Sequence, residues 1–202
     1  MLKSLLFSAA VLCTSLGTAN AAVIFADNFN SDPKGLGLTS LTNWTATSGD
    51  VDVIGPGFFD FYPGNGNYVD MNGNDNATLR SSLLNFVVGK VYTLTFDFGY
   101  NKGSGPTNEQ LDVGVGSTTL ASLGAALLAT ANPGFKSYSV SFKATSATAS
   151  LFFADPKPSP NDNGGPVIDN VVVSTVPLPA AAPMLLAGLA GLGALARRRR
   201  RA

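Results

Sequence analysis

The chain has 202 residues, 13 basic and 13 acidic side chains, no histidine and a single cysteine. These counts exclude a disulfide framework and remove the usual general base and zinc ligand, so they argue against most hydrolytic and metal-dependent chemistry. The overall neutrality hides an asymmetry, because residues 22–179 carry seven basic and thirteen acidic side chains, a net charge of −6. An acidic domain is a poor partner for nucleic acid, whose binding depends on neutralising phosphates.

The first 21 residues are typical of a secretory signal peptide. Lys3 precedes the apolar run 5–16, and Ala19-Asn20-Ala21 forms a small-residue cleavage site. We expect the mature chain to begin at Ala22. Cys13 lies inside the apolar run, so the exported protein has no thiol.

Residues 22–175 show a β pattern throughout. In 91–100, apolar residues at every second position alternate with Thr and Asp, and 136–143 repeats the scheme. This alternation predicts strands that bury Phe96, Phe98, Val140 and Phe142. Turn-forming residues separate further predicted strands at 23–25, 51–54, 68–71, 78–83, 110–115, 149–154 and 167–174. The Ala- and Leu-rich stretch 120–131 is interpreted as a strand and a loop. About nine strands without β-α-β alternation predict an antiparallel β-sandwich of jelly-roll type.

Aromatic residues concentrate between Gly55 and Gly64, within turn-forming Gly and Pro residues. Aromatic faces stack on sugar rings, so these residues and the single tryptophan are a candidate carbohydrate-binding platform. Aromatic residues under a loop also commonly fill a core, and this alternative stays open. The candidate platform comprises Trp44, Phe58, Phe59, Phe61 and Tyr62.

The sequence gives little support for catalysis. Residues 22–175 lack histidine and cysteine, and Glu109 is the single glutamate. A glycosidase needs two carboxylates across a cleft, but no stretch places the aspartates in a recognisable catalytic context. We therefore expect no enzymatic activity. Two hypotheses remain: a module that binds extracellular polysaccharide, or a structural matrix and adhesion protein without glycan binding.

The last 27 residues, 176–202, combine three signals. An apolar run, 181–196, is followed by five arginines that favour the cytoplasmic side of a membrane. Sixteen apolar residues are short for a span, which indicates a temporary anchor. Before the run stands a Pro-x-Pro box. The box comprises Val176, Pro177, Leu178, Pro179 and Ala180, and the cluster comprises Arg197, Arg198, Arg199, Arg200 and Arg201.

This order resembles the PEP-CTERM sorting signal in its VPLPA variant, with a small-residue transmembrane helix between the box and the arginines. The resemblance implies that an exosortase-type membrane enzyme cuts near the box and releases the upstream domain. We accordingly expect export, transient anchoring through the C-terminal helix, and then residence at the cell surface or in the extracellular matrix. The mature form is expected to lack everything after about Ala180.

A second resemblance covers most of residues 22–175. The motifs Phe25-Ala-Asp-Asn-Phe29, 68–73, 89–97 and Gly165-Pro-Val-Ile-Asp-Asn-Val171 are similar to those of galactose-binding-like jelly rolls of secreted proteins. This resemblance implies neighbouring first and last strands joined by a structural calcium ion. The implied ligands are Asp27 and Asp169, helped by backbone carbonyls near residues 28–32. Asn30 stands where such relatives commonly have a carboxylate.

Overall fold

The part of the chain that the structure describes contains fourteen strands and one helical turn. In this computed structural model, the described residues are 21–103, 109–132, 134–157, 164–176 and 197. The strands are β1 (Val23–Asp27), β2 (Gly35–Leu38), β3 (Trp44–Ser48), β4 (Val51–Ile54), β5 (Tyr68–Asp70), β6 (Thr78–Ser81), β7 (Leu84–Asn85), β8 (Val91–Tyr100), β9 (Gln110–Val115), β10 (Thr118–Gly124), β11 (Lys136–Lys143), β12 (Thr148–Ala149), β13 (Leu151–Ala154) and β14 (Pro166–Thr175). The helical turn, α1 (Ala125–Leu128), follows β10.

The larger sheet is organised around the two longest strands, β8 and β14, which pair antiparallel along most of their length. Its strand order is β11-β8-β14-β5-β4-β2. The free edge of β14 is shared, because β5 pairs with its beginning and β1 with its end. The first strand therefore lies beside the last one, as the resemblance to galactose-binding-like domains implied.

The smaller sheet has the order β10-β9-β13-β6-β3, and every pairing in it is antiparallel. A separate two-stranded ribbon, β7 and β12, lies outside both sheets. Side chains from the two sheets meet in one hydrophobic core, which includes Leu94, Leu111 and Phe153. The predicted fold class, an all-β antiparallel sandwich of jelly-roll type, is confirmed.

The predicted core residues pack as the alternation indicated. Phe96, Phe98 and Phe142 are buried, and the half-buried Val140 packs against the same core. Residues 120–131 divide into the end of β10, the turn α1 and a short loop. The prediction for this stretch is correct up to Gly124 and misses one turn of helix.

Residues Ala21–Val176 form one compact unit. The predicted signal peptide, apart from Ala21, and the predicted sorting signal, apart from Val176 and Arg197, lie outside the described residues. Within the described part of the chain, no helix is both long and apolar enough to cross a membrane.

Candidate functional site

The segment that connects β4 to β5, residues 55–67, contains the predicted aromatic cluster and is called the aromatic loop. Gly55 and Phe58 exchange two backbone hydrogen bonds, of 2.9 and 2.8 Å. Gly57 between them has φ +76°, a conformation that glycine adopts without steric cost. This tight turn begins the aromatic loop directly after β4.

Two tyrosines hold the second half of the aromatic loop. The Tyr68 hydroxyl accepts hydrogen bonds from the backbone N–H groups of Phe61 and Tyr62. The Tyr62 hydroxyl donates to the Tyr100 carbonyl at 2.9 Å and accepts from the Tyr100 N–H at 3.0 Å. Burial raises the pKa of Tyr62 to about 12, so its hydroxyl stays protonated and keeps both roles. The loop is therefore fixed to β8.

A small second core lies beneath the aromatic loop. It contains Ile54, Tyr62, Tyr68 and Val167, and the Tyr62 ring stacks on Phe135 with ring centroids 4.2 Å apart. Phe58 and Phe61 are half-buried against this core. The buried aromatic rings give the loop a rigid base.

Phe59 differs from its neighbours because 58% of its surface is exposed. Its backbone has φ +49°, in the left-handed region that bulky residues rarely adopt. The Phe58 and Phe59 rings meet edge to face, with centroids 5.0 Å apart at 79°. The aromatic loop thus presents one exposed ring supported by a second, and not a flat row of rings.

Trp44 does not belong to the surface platform that the sequence predicted. It occupies the inward-facing first position of β3, where only 2% of it is exposed. Its ring packs among Phe25, Phe29 and Phe153, and its Nε1–H donates to Asp27 Oδ2 at 2.9 Å. Tyr62 is also buried. The candidate platform is corrected to the other three aromatic residues, with Phe59 as the exposed member.

Polar side chains surround the aromatic loop, and the sequence did not single them out. Lys102 donates from Nζ to the Phe61 carbonyl at 3.0 Å, and its Nζ lies 4.1 Å from the Tyr62 ring centroid. Lys34 donates to the Pro56 carbonyl on another part of the loop. Asp60 Oδ1 accepts from the Tyr62 N–H and the Tyr68 hydroxyl. Charged groups of both signs therefore contact the aromatic loop.

The two predicted calcium ligands lie near each other at the junction of β1 and β14. Asp27 pairs with Val171, two residues beyond Asp169. The Asp169 side chain is completely buried. Burial, followed by the nearby Asp97 and Asp27 carboxylates, raises its pKa to about 7. Asn170, in a β-bulge with φ +48°, donates from Nδ2 to Asp97 at 2.9 Å.

Asp27, at the end of β1, and Asp32, in the loop that follows, differ in their hydrogen bonding. Asp27 already accepts bonds from the Phe29 N–H, the Asn43 amide and the Trp44 indole. Asp32 accepts two bonds from Thr42 at Oδ1, while its buried Oδ2 has no hydrogen-bond partner among the described residues. An unpartnered buried carboxylate oxygen fits a hard cation. No group of three or more carboxylate, histidine or cysteine side chains in the described ranges forms a ready metal cage.

A second group of buried acids, which the sequence analysis did not find, lies at the end of the larger sheet. Asp70 is buried and accepts hydrogen bonds from the Asn72 N–H and the Asn101 amide. Burial raises its pKa well above the ordinary value, and Asp52 and Glu109 raise it further. The only sequence signal for Asp70 is an acidic residue at the end of an otherwise apolar strand.

The fold and the site define a two-sheet all-β domain with an ordered loop that presents one aromatic ring. A family model described as "Protein of unknown function (DUF642)" matches residues 26–174. The chain belongs to the DUF642 family. No curated protein matches the chain.

Several solved structures resemble this chain at low identity. A CBM35 from Paenibacillus barcinonensis is 20% identical, with a TM-score of 0.44, and the match covers 70% of this chain and 100% of that one. The CBM22-1 xylan-binding domain from the same organism is 12% identical, with a TM-score of 0.47 and coverage of 81% and 100%. An apo-form cyclase from Fischerella sp. is 22% identical, with a TM-score of 0.41 and coverage of 84% and 93%. What each of these proteins binds or does is a property of that protein.

Proposed function

We propose that this protein is an exported, non-catalytic domain that binds carbohydrate through the aromatic loop. The observation that carries this proposal is the conformation of Phe59. A bulky residue with φ +49° costs of order 1–3 kcal/mol, and such strain clusters at functional sites. The strain here holds an apolar ring in water, where it contributes little to the stability of the fold.

The surroundings of Phe59 suit a sugar. One face of a pyranose ring consists of C–H groups that pack on an aromatic ring, while its hydroxyl groups require hydrogen-bond partners. Phe59 supplies the ring, and Lys34, Asp60 and Lys102 supply polar groups around the loop. Because the loop is already ordered by Tyr62 and Tyr68, binding would cost little conformational entropy.

The proposal of a non-catalytic role rests on the positions of the carboxylates. Asp70 and Asp169 are buried and hydrogen-bonded to neighbouring amide groups, with burial favouring their protonated forms. Asp60 beside the aromatic loop is engaged by Tyr62 and Tyr68. These carboxylates support the fold and the loop, and none of them faces a second carboxylate across an open cleft at Phe59.

The export route is proposed from the sequence. The signal peptide (1–21) would direct secretion, and an exosortase-type enzyme would cut near the box that begins at Val176. Two observations are consistent with this route: Thr175 donates its N–H to the carbonyl of Ala22, the first residue of the predicted mature chain, and Val176, the first residue of the box, is exposed. Intact-mass measurement of the secreted protein tests the route, since recovery of the arginines on the mature form would contradict it.

A structural calcium ion remains a further proposal. Asp27 and Asp169, whose carboxylates interact, are the proposed ligands, together with backbone carbonyls of residues 28–32. The unpartnered Oδ2 of Asp32, in the loop after β1, is a further candidate ligand. Asp27 would also orient Trp44 and Asn43, which donate to it. A bound cation would give the Asp169 carboxylate a positively charged partner and would link β1 to β14.

The binding proposal is tested by comparing four proteins against a panel of soluble polysaccharides, by affinity electrophoresis and then by calorimetry. Phe59→Asn removes the ring while keeping a residue that tolerates positive φ. Phe59→Trp keeps a stacking face. Leu83→Ala is the matched control, because it also shortens a strongly exposed apolar side chain but lies away from the aromatic loop, beside the β9–β10 turn.

We expect Phe59→Asn to weaken binding tenfold or more, since burial of a phenylalanine side chain contributes about 1.5–3 kcal/mol. Phe59→Trp and Leu83→Ala should bind as the unsubstituted protein does. Equal affinities for all four proteins, or no binding to any polysaccharide in the panel, would contradict the proposal.

A structural matrix role is the second candidate, and the burial of Trp44 and Tyr62 favours it, since two of the five predicted platform residues serve the core. A structural role predicts self-association that does not depend on a glycan. Sedimentation velocity over a range of concentrations, with and without added polysaccharide, distinguishes the two candidates.

A further inference from the structure

Five exposed valines lie at the end of the sandwich where the chain enters and leaves it. We call this surface the valine end, and it comprises Val23, Val87, Val88, Val91 and Val176, each between 43% and 61% exposed. Val176 donates its N–H to the Val91 carbonyl, and Val23 pairs with Ser174. The five side chains thus come from three segments that are hydrogen-bonded to one another or adjacent in the chain.

The protruding part of the valine end is a fixed turn. Lys90 donates its N–H to the Val87 carbonyl at 3.0 Å, and Gly89, with φ +84°, donates to the Ala144 carbonyl at 2.8 Å. The Tyr92 hydroxyl accepts a further bond from the Val87 N–H. Contiguous exposed apolar patches mark interaction surfaces, whereas singly exposed apolar residues are common on any protein.

The charge of the valine end is opposite to that of the domain. Segments 22–24, 82–92, 141–150 and 173–176 form this end and contain two lysines, Lys90 and Lys143, and no acidic residue. Residues 22–179 as a whole have a net charge of −6. A patch that combines valines with lysines suits an anionic lipid surface, which attracts basic residues.

The length of the following chain limits how far the valine end can lie from a membrane. Only four residues, 177–180, separate Val176 from the apolar run 181–196. Four fully extended residues reach at most about 14 Å. With the apolar run inserted, Val176 therefore lies within about 14 Å of the hydrocarbon core, either in the headgroup region, which is roughly 5–8 Å thick, or less than about 10 Å outside it.

We propose that the valine end is a membrane-facing surface that rests on anionic lipid while the C-terminal run is inserted, before processing. This inference rests on the proposed export route. A second copy of the chain suits the surface less well, because a symmetric contact would place Lys90 and Lys143 close to their own counterparts. The aromatic loop begins after β4, in another part of the molecule. With the valine end on lipid, the aromatic loop would therefore stay accessible to extracellular ligands.

The test uses the chain in vesicles that contain phosphatidylglycerol and a lipid with a quencher at shallow depth. Cys13 is replaced by Ser, and a fluorescent label is placed at one position at a time through Val88→Cys, Thr47→Cys or Gly188→Cys. Thr47, in β3, is exposed and away from the valine end, so it is the matched control. Gly188, within the apolar run, reports insertion of the C-terminal segment.

We expect quenching at the Val88 and Gly188 labels and none at the Thr47 label. Adding Lys90→Glu and Lys143→Glu should reduce quenching at the Val88 label in anionic vesicles, and should leave it unchanged in neutral ones. Quenching at Gly188 without quenching at Val88 would overturn this inference and leave the export route standing. No quenching at Gly188 would overturn both. If the Val88 label is shielded even without vesicles, the valine end is covered by protein, and the lipid assignment is overturned. Exposure of the label on dilution would then identify a second copy of the chain as the cover. Shielding that persists on dilution would identify the chain's own tail.

Discussion

Two aromatic regions of this domain, around Trp44 and around Phe59, look alike in the sequence and differ in the structure. Trp44 lies on a strand between the two sheets, with its indole N–H satisfied by Asp27. Phe59 lies in a loop, exposed and with a strained backbone. A strand fixes by its pleat which side chains face the core, whereas a loop can aim a side chain outward when its own backbone is anchored elsewhere.

The comparison separates residues that hold the fold from those available to a ligand. Substitution of a core aromatic residue should lower stability and leave the glycan affinity of the folded molecules unchanged. Substitution of Phe59 should lower glycan affinity and leave the fold stable. Tyr62 lies between these cases, since it is buried and also fixes the loop that presents Phe59.

The largest expected effect is at Phe96, in the core between the sheets. Phe96→Ala should lower the free energy of unfolding by about 3–5 kcal/mol, because it leaves a cavity beside Phe153 and Tyr138. Chemical denaturation measures the change, and Phe59→Ala is the matched control with an expected cost below about 1 kcal/mol. Equal losses for the two variants would mean that the core and the aromatic loop do not differ as described.

The ionisation of Asp169 predicts a pH-dependent stability. Its pKa is about 7 in the folded domain and about 3.8 when unfolded, so the folded state retains a proton that the unfolded state has lost. The contribution of the protonated Asp169 to the free energy of unfolding is fully present below pH 3.8 and is lost as the pH rises through 7. Its upper limit is about 4 kcal/mol. Asp169→Asn, melted from pH 4 to pH 8 in chelator, should show a smaller decline than the unsubstituted domain. A parallel decline would exclude Asp169 as the source.

Calcium should act on the same group at higher pH. A calcium concentration one hundred times the Kd adds about 2.7 kcal/mol to the free energy of unfolding. Protonation of Asp169 competes with calcium binding. We therefore expect calcium to raise the melting temperature at pH 8 and much less at pH 5. Asp169→Asn and Asp27→Asn should abolish the effect, and Asp27→Asn should also lower stability without calcium. Loss of the effect in Asp32→Asn would identify Asp32 as a third ligand. A melting temperature that chelator does not change would exclude the ion.

The sequence predicted the long strands well because alternation is a local signal. Val91–Tyr100 and Lys136–Lys143 have the bounds that the pattern indicated. β2 (Gly35–Leu38) was missed, because its Gly-Leu-Gly-Leu sequence has weak strand propensity and pairs with β4 only through tertiary contacts. β3 was missed because Thr and Ser occupy most of its positions.

The site was predicted in part for the same reason. Composition identified the aromatic loop, but burial depends on contacts between residues distant in sequence, such as Tyr62 with Tyr100 and Trp44 with Asp27. Asp27 and Asp169, which the resemblance to galactose-binding-like domains implied as ligands, lie close enough for their charges to interact. The resemblance did not indicate that Asp27 is satisfied by N–H donors while an oxygen of Asp32 has no partner among the described residues.

Tyr62 should connect stability with binding. Tyr62→Phe removes the hydroxyl that bonds the Tyr100 N–H and carbonyl, and leaves both groups buried. The expected cost is about 1–3 kcal/mol in unfolding free energy. Because the aromatic loop is then less firmly held, glycan affinity should also fall, although the exposed ring is intact. Loss of stability with unchanged affinity would show that loop anchoring does not contribute to binding.

The smallest expected effect on stability is at Phe59 itself. Phe59→Asn relieves the strain of a bulky residue with positive φ and removes a ring that contributes little packing, so it is expected to raise the free energy of unfolding by up to about 1 kcal/mol. The same variant should lose glycan binding. A thermal melt and a calorimetric titration on one preparation test both statements. If Phe59→Asn destabilises the domain by more than about 1 kcal/mol, the ring contributes to packing, and its exposure in a strained backbone is no longer evidence for a ligand.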